Sequence, residues 1–338
     1  MTSEFINFMS YNSTGLDLVK TNWIRDVIKT CNIDFFQLQE HFKTIKTLDS
    51  YFRKEFPAND SFVLPGHREP CQESGRAKGG LAQLANKVLK VNKTRIQTKN
   101  WRLQAQILHF DQYKIMWVNC YFPTDPQSLQ YNDSDLELVL NEVENILDNN
   151  SFDDCIVGGD INFDTSRTTG FANIVRDFFS RLGLVSIWQK FPVDFTHIHT
   201  DMKSFAVLDH FFVNQNLLDC VVDAGPLHLG DNLSRHSPIM MKVKLSQVVK
   251  SRNKQPDIPR PRKPAWFKAT QEDKNSYNEV LYTQLRELDI PDSLGCTDVS
   301  CKCLVHSQDR DRLMIDILCT IVETSHRCIP LTIQIQQG

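Results

Sequence analysis

No apolar run in this chain approaches the roughly 20 residues that a membrane-crossing helix needs, so the sequence does not read as a membrane protein. The opening residues Met1-Thr2-Ser3-Glu4 lack the basic-then-apolar pattern of a secretory signal. The expectation is a nuclear or cytoplasmic protein that is not secreted. Neither sign of charge dominates: 38 Lys and Arg stand against 41 Asp and Glu, a net charge of −3. The protein as a whole is therefore not a basic nucleic-acid binder, although a local basic groove helped by a bound metal can still grip DNA. No internal repeat is visible. A disulfide framework is also missing. Cys31, Cys71, Cys120, Cys155 and Cys220 are scattered, mostly in apolar contexts typical of buried thiols, and the other five of the ten cysteines fall at or after Cys296.

What is present is an ordinary globular composition, 41% hydrophobic and 23% charged over 338 residues, enough for a large domain with an appendage or for two domains. Residues 1–247 read as alternating strands and helices. Phe5–Tyr11, Asp34–Leu38, Gly80–Leu84, Trp101–Leu108, Tyr113–Cys120, Cys155–Gly159, Ser204–Val213 and Ile239–Lys244 are strand candidates. Trp23–Cys31, Leu136–Leu147 and Phe171–Leu182 have helical spacing. Residues 248–268 are basic and proline-rich, with seven Lys or Arg between Lys250 and Lys268 against the single acid Asp257, and read as an extended linker. Residues 269–338 read as a helical segment that stops before any reverse transcriptase. Thr270 is the expected N-cap of a helix running through Asn275–Leu288, and Arg310–Arg327 is a second helix.

The most informative stretch is Gly158-Gly159-Asp160-Ile161-Asn162-Phe163-Asp164, which follows the buried-strand run Cys155-Ile156-Val157. Two glycines let the backbone turn, and an Asp and an Asn two residues apart in extended chain point the same way. Asn12 closes the first strand and Glu40 follows another, Phe36-Gln37-Leu38-Gln39. Taken singly, either residue reads as a solvated strand end or a cap. Tyr121 follows Trp117-Val118-Asn119-Cys120; alone it reads as a core tyrosine with a satisfied hydroxyl. Asp209 lies inside Val207-Leu208-Asp209-His210-Phe211-Phe212-Val213, where an acid is costly to bury unless paired. His236 sits in Leu233-Ser234-Arg235-His236-Ser237-Pro238, and a buried carboxylate holding an imidazole is a recurring catalytic pair.

The ordered set Asn12, Glu40, Tyr121, Asp160 with Asn162, Asp209 and His236 resembles the endonuclease/exonuclease/phosphatase superfamily over residues 4–247, and within it the apurinic-endonuclease-like nuclease domain of non-LTR retrotransposons. Gly75-Arg76-Ala77-Lys78-Gly79-Gly80-Leu81, Thr196-His197-Ile198 and the tail signature Lys263-Pro264-Ala265-Trp266 share that character. The resemblance implies an α/β (α+β) four-layer sandwich of two mixed β-sheets flanked by helices, DNase I-like, with a C-terminal helical appendage. It implies a Mg²⁺-dependent DNA endonuclease that nicks to leave a 3′-hydroxyl, with Mn²⁺ able to substitute. Glu40 and Asn12 would hold the metal, Asp160 and Asn162 would position or activate water, and Asp209 would orient His236. His236 and Tyr121 would contact the scissile phosphate, with Thr196 and Arg76 at the substrate. Whether Asp160 or His236 accepts the proton stays open at this stage. DNA is the implied partner, element RNA a further candidate, and neither a membrane nor an obligate protein partner is implied.

One departure matters. Such sequences usually read Ser-Asp-His where this chain has Ser234-Arg235-His236. A cation beside the metal would repel it, so two alternatives stand: a catalytically dead nucleic-acid-binding remnant, or, on the same fold, a phosphatase or phosphodiesterase acting on another substrate. Arg235 could also turn outward and contact DNA phosphate. In the tail, Cys296, Cys301, Cys303 and His306 supply enough soft ligands for Zn²⁺. Their C-x4-C-x-C-x2-H spacing is not that of a standard finger, and Cys303 lies too close to Cys301 for easy tetrahedral geometry, so the reading goes against zinc. Cys319 and Cys328 are expected to pack on the last helix.

Overall fold

A computed structural model describes residues 5–44, 48–68, 77–126, 134–229, 232–244, 264, 266, 269–291 and 303–330. The chain forms two compact units, Met1–Asp257 and Ile258–Gly338. The first unit runs β1 (Phe5–Asn12), α1 (Leu18–Thr30), β2 (Phe35–Gln39), α2 (Leu48–Glu55), β3 (Asn59–Leu64), β4 (Leu81–Asn86), β5 (Asn92–Ile96), β6 (Leu103–Phe110) and β7 (Tyr113–Tyr121). It continues with α3 (Ser134–Asp148), β8 (Asp154–Asp160), α4 (Gly170–Arg181), β9 (Leu184–Ser186), β10 (His197–Ile198), β11 (Phe205–Ala206), β12 (Asp209–Asn214), α5 (Gln215–Cys220), β13 (Val221–Pro226) and β14 (Ile239–Lys244). Among the described residues, no helix is long and apolar enough to cross a membrane.

Two six-stranded sheets form, in the orders β13-β14-β1-β2-β4-β3 and β5-β6-β7-β8-β12-β9. Each has one parallel pair near its centre, β1 with β2 and β7 with β8, and each of these pairs is joined by a helical crossover, α1 or α3. The remaining pairings are antiparallel, so both sheets are mixed. The central strands read as continuous apolar runs because both of their faces are covered. Along β7, Ile115 and Trp117 point between the sheets while Met116, Val118 and Cys120 point to the helices α3 and α4. Along β1, Phe8 points between the sheets while Met9 and Tyr11 meet α1 and α2. Three apolar layers result, one between the sheets and one under each helical layer: the four-layer sandwich.

Towards one end, the inter-sheet space stops being apolar. Gln37, Gln39, Gln83, Gln104, Gln106 and Asn119 are all buried there. The carboxamide of Gln37 donates to the carbonyl of Val118 at 2.8 Å, and that of Gln83 to Trp117 at 3.0 Å. Gln39 donates to Asn119 Oδ1 at 2.7 Å, and Asn119 in turn donates to the carbonyls of Leu38 and Ala82, each at 3.2 Å. These bonds run from one sheet to the other.

The strand expected over Ser204–Val213 is two pieces, β11 and β12. The chain leaves the sheet at Val207-Leu208 because the amides of Leu208 and Asp209 both turn to the Thr196 hydroxyl, at 2.9 and 3.0 Å. Helices α2 and α5 and strands β3, β5 and β13 had no clear sequence signal; β3 and β5 are half-exposed edge strands whose charged residues mask the alternation. In the second unit, α6 (Gln271–Arg286) begins at Thr270, whose side chain forms a reciprocal capping box with Asp273. The hydroxyl of Thr324 on α7 (Leu304–Cys328) donates to the Gln284 carboxamide on α6. Cys319 is exposed rather than packed, because the face of α7 that carries it is not covered within the described residues. Most of the expected linker lies outside the described residues.

Gly159 has φ +137°, and a Cβ there would lie 2.0 Å from the carbonyl oxygen of Cys120, its partner in β7. Gly159→Ala is therefore expected to cost on the order of 2–3 kcal/mol or more. Gly225→Ala, with nothing within 4 Å of the added methyl, is expected to change stability by less than about 1 kcal/mol. Urea unfolding of the two variants measures the contrast.

Candidate active site

Strand polarity brings the polar residues together. Because β1 and β2 run parallel in one sheet and β7 and β8 parallel in the other, and because the sheets stack with these pairs aligned, all four strands end at one rim. Asn12 is the last residue of β1, Glu40 follows the last residue of β2, Tyr121 ends β7 and Asp160 ends β8. Tyr121 and Asp160 are register partners. Strand β12 runs against β8 and starts at this rim, so Asp209 stands opposite Asp160. Strand β14 begins at Ile239 beside Ser10 of β1, which leaves His236, three residues earlier, over the same rim.

The side chains form a chain of contacts. Thr196 Oγ1 donates to Asp209 Oδ2 at 2.8 Å, and the same oxygen accepts from His236 Nδ1 at 2.9 Å. With Nδ1–H so held, Nε2 faces Asp160 Oδ2 at 3.9 Å. Asn12 Nδ2 donates to that same Asp160 oxygen at 2.8 Å, while Asn12 Oδ1 accepts from the Thr14 amide at 2.9 Å. The other Asp160 oxygen accepts from the Asn162 amide at 3.1 Å, an Asx turn that holds Asn162 at φ +52°. Asn162 Nδ2 donates to the carbonyl of Phe122 at 2.9 Å. Nearby, the Tyr121 hydroxyl donates to Glu40 Oε1 at 2.7 Å.

Electrostatics sharpens the roles. Burial disfavours charge on His236, but Asp209, Asp160 and Glu40 outweigh it and push the imidazole up to about 9. Asp160 is fully buried; that burial, helped by Asp209 and Glu40 and opposed by His236 and Asn12, pushes its carboxyl up to about 7. Burial, then the charge of Glu40, raises the Tyr121 phenol, which keeps it protonated as a donor. Asp209 Oδ1 is buried and finds no hydrogen-bond partner among the described residues.

Asp160, Asp209 and His236 each offer a ligand atom within 4.8 Å of the others, the one such group of His, Cys, Asp or Glu among the described residues. The fit to a divalent cation rests on charge. Three acids, Glu40, Asp160 and Asp209, stand against one imidazole, and burial, only partly opposed by His236, raises the Asp160 carboxyl to about 7. Oxygen-rich sets of this kind suit Mg²⁺.

Thr196 was expected to touch substrate; it is fully buried, and its hydroxyl is spent on Asp209 and on two amides, so it stands behind Asp209 as a support. Arg235 is exposed, its carbonyl accepts from the Ile198 amide at 2.9 Å, and its charge helps lower the pKa of His197, after burial and the charge of His236. Arg76, Cys296 and Cys301 lie outside the described residues. Cys303 is exposed, and neither it nor His306 belongs to a group of three potential ligands among the described residues. Sequence reasoning gave no role to His197, whose ring lies 4.5 Å from that of His236, or to Ser234, which bonds Thr14 at 3.1 Å and so ties the His236 loop to β1.

Comparisons follow this geometry. The structure resembles an AP endonuclease from Leishmania major, with TM-score 0.58 and 16% identity over 71% of this chain and 88% of the other. It resembles the endonuclease domain of TRAS1, a telomere-specific non-LTR retrotransposon, with TM-score 0.52 and 15% identity over 71% and 99%. It also resembles the 3′ phosphatase NExo from Neisseria, solved with a product DNA hairpin, with TM-score 0.54 and 12% identity over 70% and 99%. The chain has the endonuclease/exonuclease/phosphatase fold. No protein-family model matches the sequence, and no curated protein does.

In metal-free protein, the charge on His236 contributes stability that is complete below the ordinary value of 6.5 and is lost as the pH rises through about 9. Asp209→Asn is expected to flatten this dependence. Urea midpoints between about pH 6 and about pH 10 measure it, and an unaltered slope in the variant would show that Asp209 does not hold the charge.

Proposed function

We propose that this protein is a divalent-metal-dependent phosphodiesterase that nicks DNA, leaving a 3′-hydroxyl and a 5′-phosphate. One observation carries the reading: Asp209, His236, Asp160 and Asn12 form a continuous chain of contacts on the same rim as the Glu40–Tyr121 pair. The structural neighbours support it, being named as AP endonuclease, retrotransposon endonuclease and DNA 3′ phosphatase. The likeness to TRAS1, with the tail signature of the sequence, supports a non-LTR retrotransposon origin.

His236 carries a proton on Nε2 and donates it as a hydrogen bond to a non-bridging oxygen of the scissile phosphate, where negative charge grows. Being already protonated, it is not the base. Asp160, held up to about 7 by its burial, is the acceptor matched to neutral pH. It takes a proton from a water whose oxygen forms the new P–O bond as the bond to the 3′-oxygen breaks, and the departing 3′-oxygen takes a proton from solvent to become the 3′-hydroxyl. Asn162, locked by its Asx turn, fixes the Asp160 carboxylate and positions that water with it. With substrate bound, Tyr121 turns its one hydroxyl hydrogen from Glu40 to the phosphate, the second hydrogen bond there. Glu40, supported by Asn12, would hold Mg²⁺ or Mn²⁺, which would supply neutralisation of phosphate charge when bound.

A second reading is binding without turnover, and Arg235 favours it, because an acid is usual at that position in the sequences this one resembles. Its exposure at the surface supports activity instead. The full chain is expected to relax supercoiled plasmid with Mg²⁺ and not with EDTA. Glu40→Gln and His236→Ala should each lower the rate by roughly 10²–10³-fold. Arg235→Asp should alter it by less than about tenfold. A gain far above that would show that the missing acid matters, and persistent cleavage in both of the other variants would place the chemistry elsewhere.

A further inference from the structure

A pocket of about 410 Å³ opens between the outer edges of the two sheets, where β3 borders one sheet and β5 the other. Four cations line it: Arg53 from α2, Lys87 just after β4, and Lys93 and Arg95 from β5. Asp60 is the one acid in the lining among the described residues. Strand direction sets this pocket away from the rim. Leu81 pairs with Gln39 at the rim, so β4 runs away from it, and its six residues carry the chain about 20 Å before Lys87. Likewise β5 starts beside His109, at the end of β6 remote from the rim.

The cations are held in place without being neutralised. Lys87 Nζ donates to the Pro57 carbonyl at 2.8 Å, Lys93 Nζ to the Val91 carbonyl at 2.8 Å, and the Arg95 guanidinium to the Ser61 carbonyl at 3.0 Å. Arg95 also lies over the Phe62 ring, 4.8 Å from its centre. A carbonyl occupies one donor and fixes the head group, and the remaining donors and the full positive charge stay available. Among the described residues, Lys93 is the one member of the four that meets a carboxylate, Asp60 at 2.9 Å, and its side chain is just 18% exposed. Gln106 of the buried amide layer also lines the pocket and donates to Gln83 at 3.1 Å, so the pocket reaches inward between the sheets. Four cations against one acid leave an excess of three positive charges in one cavity, on a chain whose net charge is −3. Like charges gathered this closely repel one another, and an anion among them relieves the repulsion.

We infer that this pocket binds a compact polyphosphate, a small molecule that carries several phosphate groups close together. Its volume falls within the range of roughly 300–1,000 Å³ for small-molecule sites. The charge decides between a compact ligand and a polymer. A nucleic-acid strand carries one charge per nucleotide, so the short length that enters such a pocket would leave most of the cations unmatched. A polyphosphate brings three or more charges into the same space. Arginine offers phosphate a planar fork of donors and lysine a point charge, and the lining has two of each. The ligand would join the two sheets at their outer edges, because Lys87 follows a strand of one sheet and Lys93 and Arg95 belong to the other. Nothing in this inference depends on the rim or on the nuclease reading.

The test uses the full chain in EDTA and isothermal titration calorimetry with three probes: inorganic tripolyphosphate, ATP and inositol hexakisphosphate. At least one is expected to bind one to one, and the tightest of the three identifies the body that carries the phosphates. Arg53→Ala and Lys87→Ala, both at exposed positions, should each weaken Kd roughly tenfold, the size of one hydrogen bond to a charged group. Lys87→Arg should keep the affinity. Asp60→Asn removes the opposing acid and should tighten Kd severalfold, a gain that no folding defect produces. Binding by none of the three probes overturns the inference. So does binding that survives in Lys87→Ala and is lost in His236→Ala, which would place the ligand at the rim. A single-stranded oligodeoxynucleotide that binds more tightly than all three probes, and loses that affinity in Lys87→Ala, overturns it in favour of a nucleic-acid groove.

Discussion

Two sheets held face to face by apolar contact alone can slide, because the hydrophobic effect has no direction. The candidate site tolerates no sliding, since Asn12 and Glu40 belong to one sheet and Tyr121, Asp160 and Asp209 to the other. The buried amides supply the missing direction. Gln37, Gln83 and Asn119 each donate to a main-chain carbonyl of the opposite sheet. A slip of even one residue would strand these groups in the interior without partners, at a cost of about 1–3 kcal/mol each. The layer therefore fixes the register of one sheet against the other, and the rim inherits that register. The apolar part of the interface supplies stability, and the polar part supplies position.

At the rim, the same low-dielectric setting turns position into chemistry. Two carboxylates bracket one imidazole, and burial makes each charge depend on its neighbours. Burial raises the Asp160 carboxyl and, against burial, the neighbouring acids raise the His236 imidazole, so both hold their protons to higher pH than in water, in the same order. Thr196 and Asn12 touch the outer sides of this array, and their bonds hold Asp209 and Asp160 in place.

Much of this was legible along the chain. Asn12, Glu40, Tyr121, Asp160, Asp209 and His236 stand out because each is a polar residue at the end of, or inside, a run of apolar ones, and such placements are costly without a purpose. The central strands were legible for the same reason, being apolar on both faces. The edge strands β3 and β5 were not, because a half-exposed strand loses the contrast on which periodicity depends. The break between β11 and β12 was hidden as well: a side chain far along the chain, the Thr196 hydroxyl, takes the amides that would have continued the strand.

The sequence by itself determined which residues carry polar chemistry, and that they sit at strand ends, because local hydrophobic pattern places them there. Only the tertiary structure decided how they pair. Thr196 became a support behind Asp209 instead of a contact for substrate, Arg235 came to lie exposed, and Arg53, Lys87, Lys93 and Arg95 came together in one pocket from separate segments. The physical reason is that pairing depends on strand direction and on the register between the two sheets. Both are set by hydrogen bonds between distant segments, and no local pattern encodes them.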